Sequence, residues 1–103
     1  MKLYERLLQL DEYNLPANIF MGNYLFLQAE NERRRLEDDF RQIASPTRMQ
    51  YARYRDSMDK LFTLRYAKAR IHLLRVLQCF PSAGAETTLK HIEQVEQQME
   101  HGR

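Results

Sequence analysis

Prolines stand only at positions 16, 46 and 81, and the two intervals between them hold a single glycine, Gly22. This shortage of breakers is the strongest constraint on the fold. An all-β domain would need a turn signal every 8–12 residues or so. Such long uninterrupted stretches instead favour helices, and the chain reads as all-α. Its 103 residues are one domain's worth, and a 44% hydrophobic content supports a core where a disordered chain could not.

Four helices follow from breakers and periodicity. The first is expected over 2–13, with Leu3, Leu7 and Leu10 at helical spacing and Tyr4 and Leu8 widening the stripe. The second is expected over 16–44, with Pro16 in its first turn, where the missing N–H has no partner in any case. Its first half is apolar (Ile19, Phe20, Met21, Tyr24, Leu25, Phe26, Leu27). Its second half is charged, with a thin stripe of Leu36, Phe40 and Ile43. Ser45 can cap a third helix over 46–80 that begins on Pro46. There Tyr51, Tyr54, Met58, Leu61/Phe62, Arg65/Tyr66, Ala69, Leu73, Val76 and Phe80 step by three or four, a heptad-like, coiled-coil stripe. From Leu61 onward Leu64, Ile71 and Leu74 add apolar side chains on the opposite face, so this half should be covered from several directions. A linker at 81–84 leads to a fourth helix over 85–101 carrying Leu89, Ile92, Val95 and Met99.

The short break at Ser45 makes the second and third helices a long antiparallel hairpin, roughly 45 Å at 1.5 Å per residue. Its apolar mass lies in 19–27 and 64–80, where the shorter flanking helices can cover it. Its tip, around 37–54, should project.

Catalytic and metal chemistry find little support. His72, His91 and His101 have no carboxylate three or four residues away, so the Glu-x-x-His signature of bundle metal sites is missing. His72 and Cys79 lie two helical turns apart, about 10.5 Å by rise, too far to form a nucleophile–base pair. The three glycines form no phosphate loop. The expectation is a non-enzyme with no cofactor, no metal and no small-molecule substrate. One cysteine, Cys79, excludes an internal disulfide and fits a reducing cytoplasm. Cys79 itself reads as core or seam. No apolar run is long enough for a membrane span, and the opening residues, with Glu5 and Asp11, do not read as a signal peptide.

Charge is uneven. Residues 46–80 hold eight Arg and Lys against Asp56 and Asp59, an excess of six positive charges in a chain whose net charge is +2. The remainder is therefore acidic by four. Arg53, Lys60, Lys68 and Arg75 fall on one arc opposite the apolar stripe. They could track phosphates, or pair with Glu30, Glu32, Glu37, Asp38 and Asp39 across the hairpin. The run 32–39 pairs Arg33 with Glu37, Arg34 with Asp38 and Arg35 with Asp39 at i,i+4, the pattern of a solvated helix.

Six Tyr, five Phe and five Met are more than a core of this size needs, and methionines such as Met21, Met49, Met58 and Met99 suit adaptable surfaces. The reading is a non-catalytic protein–protein interaction module: an adaptor, an assembly factor or a secretion-type chaperone. It would bury a partner helix, or a second copy in a homodimer, against an apolar groove. The groove residues expected are Phe20, Tyr24, Leu27, Leu73, Val76, Leu77, Phe80, Leu89, Ile92 and Met99. At the level of architecture the plan resembles bacterial secretion chaperones and coiled-coil adaptors. The alternative is a nucleic-acid-binding regulator using Arg53, Lys60, Lys68 and Arg75.

Overall fold

The computed structural model describes residues 2–101. The chain is all-α, with no strand among the described residues. Helix α1 spans Lys2–Leu10 and α2 spans Leu15–Arg41. A third rod is built from α3 (Arg48–Leu61), a π-helical turn (Phe62–Tyr66) and α4 (Ala67–Cys79), joined without a break because the residues at each junction stay in the right-handed helical region. Helix α5 spans Ala83–His101. The molecule measures 49 × 26 × 17 Å, and its 15.7 Å radius of gyration exceeds the roughly 13 Å of a compact chain this long.

Local chemistry fixes the ends. Asp11 Oδ1 accepts the Tyr13 N–H and stops α1 before Tyr13. Asn14 caps α2 by accepting the Ala17 N–H at 3.0 Å. The third helix starts two residues later than expected, because Thr47 and not Ser45 is its cap. Thr47 accepts the Gln50 N–H, and the Gln50 side chain returns the bond to the Thr47 N–H, a complete capping box. Phe80, forced into an extended conformation ahead of Pro81, ends α4. Ser82 Oγ then accepts the Ala85 N–H and starts α5.

The π turn departs from the regular helix expected here, and spacing explains it. Tyr54, Met58, Phe62 and Tyr66 follow one another by four residues. On an α-helix each such step drifts by about 40°. The wider turn absorbs the extra residue and keeps Met58, Phe62 and Tyr66 on the buried side.

The core lies between α2, the third rod and α5: Met21, Leu25, Ala29, Met58, Leu61, Phe62, Tyr66, Ala69, Leu73, Val76, Ala85, Ile92 and Val95. Helix α4 packs on α2 on one side and α5 on another. The full coverage expected for 61–80 does not occur, since Leu64, Ile71 and Leu74 are each about half exposed. Helix α1 buries none of its residues and lies on α2 through a Tyr4–Phe20 ring stack at 4.3 Å. At the far tip Phe40 stacks on Tyr54, also at 4.3 Å. Cys79 is exposed, not in the core, because it sits on the last turn of α4.

Helices α2 and α4 approach closely at Gly22. A Cβ there would stand 2.9 Å from Leu73 Cδ2 and 3.4 Å from His72 Cβ. Leu73 is itself buried, so making space for a larger side chain means shifting core packing. Overpacking typically costs about 1–3 kcal/mol, more than the helix propensity a larger residue recovers. Gly22→Val should therefore lower the melting midpoint by roughly 4–8 °C per kcal/mol lost. Circular dichroism melting checks this, and an unchanged or higher midpoint would show that the helices are not in contact there.

Candidate interaction surfaces

Two polar pins hold α2 against its neighbours and decide which faces remain outside. The first is Asn18. Its Nδ2 donates to the carbonyls of Glu12 and Asn14 at 2.9 and 3.0 Å, which turns Oδ1 towards His72 Nδ1 at 2.8 Å. An amide oxygen only accepts, so this arrangement requires the imidazole proton on Nδ1. Burial, reinforced by the Arg75 charge, pushes the His72 pKa down.

The second pin centres on the fully buried Tyr66. Its hydroxyl donates to Glu30 Oε1 at 2.6 Å and accepts from Arg33 Nε at 2.9 Å. Arg33 also donates to Glu30 Oε2 at 3.0 Å and Glu37 Oε1 at 2.7 Å. His91 Nε2 of α5 lies 3.0 Å from Glu30 Oε1. Burial pushes the Tyr66 hydroxyl up, and its bond to Glu30 adds to this. For Glu30, burial alone would raise the pKa. The hydrogen bonds from Tyr66 and Arg33, with the Arg33 and His91 charges, reverse that and hold it below its ordinary 4.5. Among the described residues every buried side-chain nitrogen and oxygen has a partner, and no three metal-ligating side chains gather. A cleft of about 230 Å³ lies beside this pin, lined by Tyr54, Met58, Val95 and Met99 among others.

Of the ten expected groove residues, Leu73, Val76 and Ile92 fill the chain's own core, buried by α2 and α5. Leu77, Leu89 and Met99 are half-buried against that core. Phe80 is exposed at the end of α4. Phe20, Tyr24 and Leu27 come together, joined by Leu15, Pro16, Ile19 and Asn23, in a shallow groove along the outer face of α2. No charged residue lines it, and Leu27 is 60% exposed. Of the methionines, Met21 and Met58 are core, Met99 is half-buried, and Met49 is 64% exposed.

The basic strip has its own geometry. Arg53, Lys60, Lys68 and Arg75 are spaced seven, eight and seven apart, and the π turn falls within the interval of eight. It absorbs one residue, so all four keep to one side of the rod. Arg75 lies 3.8 Å from Glu12, whereas Arg53, Lys60 and Lys68 have no hydrogen bond or ion pair among the described residues. The acids expected across the hairpin are largely used elsewhere. Glu30 and Glu37 hold Arg33, Asp38 pairs with Arg41, and Glu32 faces Arg65 and Arg35. Arg33–Glu37 is the one expected i,i+4 pair that forms, and Arg33 is largely buried, not solvated.

The sequence reading missed the Tyr66 pin, yet a signal was there. The buried stripe of α2, continued by threes and fours from Leu25 and Ala29, lands on Arg33 before Leu36 and Phe40. A charged residue on a core stripe marks a buried network.

No known protein family matches this chain, and no curated protein does. A solved structure does: a chain from Bacteroides ovatus ATCC 8483, provisionally described as a protein binding protein. The two are 52% identical and superimpose with a TM-score of 0.92 over 95% of this chain. This chain spans 48% of that one, about half its length.

The Glu30 pKa sets an acid dependence. Its folded value is depressed, so the stability it contributes is present above its unfolded value near 4.5 and is lost as pH falls through the folded value. Glu30→Gln should flatten the fall in stability on acidification below pH 4.5, measured by urea unfolding at stepped pH. Wild-type and variant curves that stay parallel would exclude Glu30 as the source.

Proposed function

We propose that this chain is a non-catalytic protein-binding module that self-associates through the outer groove of α2. The observation that carries the reading is the groove itself: seven contiguous lining residues, none of them charged, on a chain whose core is already filled. In a two-fold dimer the same patch meets itself, which an uncharged apolar surface tolerates and a charged one does not. The elongated shape adds a reason, since it leaves much apolar surface for a chain of this size.

The description of the Bacteroides ovatus structure as protein-binding supports the wider reading. So does the state of the titratable groups. Glu30, Arg33, Tyr66 and His72 are committed to one another or to Asn18, and none stands as a free nucleophile or base. Adaptor, assembly factor and secretion-type chaperone are all roles such a module could fill. No described helix is long and apolar enough to cross a membrane.

Sedimentation velocity over a range of protein concentrations tests the proposal. The wild-type chain should shift from monomer to dimer as concentration rises. Leu27→Asp, at an exposed position, should hold it as a monomer and leave its melting midpoint within a few degrees. A wild-type chain that stays monomeric at every concentration and binds no hydrophobic dye would overturn the reading.

A further inference from the structure

The outer face of the third rod carries a second surface unlike the first. Met49, Arg53, Lys60, Leu64, Lys68 and Ile71 follow one another at helical spacing once the π turn is counted, and all are exposed. Met49 is 64% exposed, Leu64 55% and Ile71 50%. Arg53, Lys60 and Lys68 are unpaired among the described residues. Asp56, three residues after Arg53 and four before Lys60, is the one acid of the rod that lies on this face, and the cations outnumber it. From Met49 to Ile71 the strip runs roughly 33 Å at 1.5 Å per residue.

We propose that this strip docks an acidic amphipathic helix from a different protein. The inference rests on the reading of the chain as a protein-binding module, but it uses a surface separate from the α2 groove. Charge complementarity selects an acidic partner. Three large apolar side chains, Leu64 between the cations and Met49 and Ile71 beyond either end of them, select a helix that pairs its acids with an apolar stripe, as in helix-in-groove recognition. A phosphate backbone would meet Met49, Leu64 and Ile71 with nothing to bury them, so a nucleic acid fits less well. A second copy fits less well. The acidic outer face of α5 (Glu86, Glu93, Glu100) and the acidic half of α2 present no exposed large apolar residue, and α1, whose Leu3 and Leu10 are exposed, is not acidic.

Fluorescence anisotropy with a labelled synthetic peptide tests the proposal. The peptide is an amphipathic helix with leucine on one face and glutamate flanking it. A scrambled peptide of the same composition and a labelled DNA duplex are titrated beside it. The expected result is saturable binding of the amphipathic peptide alone. Lys60→Glu with Lys68→Glu should weaken it at least about tenfold, and so should Leu64→Ser with Ile71→Ser, because steering charges and buried anchors are both required. Binding should also weaken as salt is raised. Leu27→Asp should leave it unchanged, which separates this surface from the dimer groove. These side chains are exposed, so the variants should melt close to wild type.

Four results would overturn the proposal. The amphipathic peptide could fail to saturate, or bind no better than its scramble. The duplex could bind in a way lost in the lysine pair and kept in the Leu64/Ile71 pair, which would make the strip a nucleic-acid site. The strip variants could dissociate the dimer, which would make a second copy the occupant.

Discussion

The phenol of Tyr66 is the interaction on which the rest of this structure depends. It is fully buried, and a buried hydroxyl without partners would cost about 1–3 kcal/mol. Here it donates to Glu30 and accepts from Arg33, and Glu30 in turn meets His91. One side chain of the third rod thereby fixes α2 and α5 together. The π turn is what carries Tyr66 to that position: a regular helix would have drifted away from α2 after Tyr54, Met58 and Phe62. Asn18 and Gly22 then set the opposite end, one by a hydrogen bond to His72 and the other by letting Leu73 approach α2 directly.

Fixing these three helices determines what lies outside. The core closes with α1 held only by aromatic stacking and half-buried side chains, so the outer face of α2 near it keeps an uncharged groove. The opposite flank of the rod keeps a basic strip broken by Met49, Leu64 and Ile71. The π turn serves this face too, because it takes up the extra residue in a spacing of seven, eight and seven and narrows the arc on which the cations lie. One local widening thus both buries Tyr66 and aligns Arg53 with Lys68.

Much of the architecture was legible in the residues. The sparse prolines and glycines gave four helices in an all-α chain, with the second and third long and antiparallel. The paired options at Leu61/Phe62 and Arg65/Tyr66 already marked the place where α-helical phase breaks down, though a spacing pattern alone does not name a π turn. The boundary at Thr47 was misplaced because Ser45-Pro46 also offers a cap and a first-turn proline, and the reciprocal Gln50 bond decides between them. The expected groove mixed two kinds of residue. Phe20, Tyr24 and Leu27 are outside, whereas Leu73, Val76 and Ile92 are inside. Periodicity shows that a face is apolar but not whether the chain covers it with its own helices. The Tyr66 network was hidden for a related reason: Glu30 and Arg33 belong to a strongly charged segment, and burial of two of its members depends on tertiary packing.

Native-state hydrogen exchange, resolved by residue, tests this account most directly, because it reports which segments the fold secures without a partner. The account predicts the slowest exchange around Glu30–Arg33, in the turn Phe62–Tyr66 and in α5 near His91, with α1 fast at low protein concentration. Uniform protection across α1 and α2 at low concentration, or fast exchange through the π turn, would contradict it.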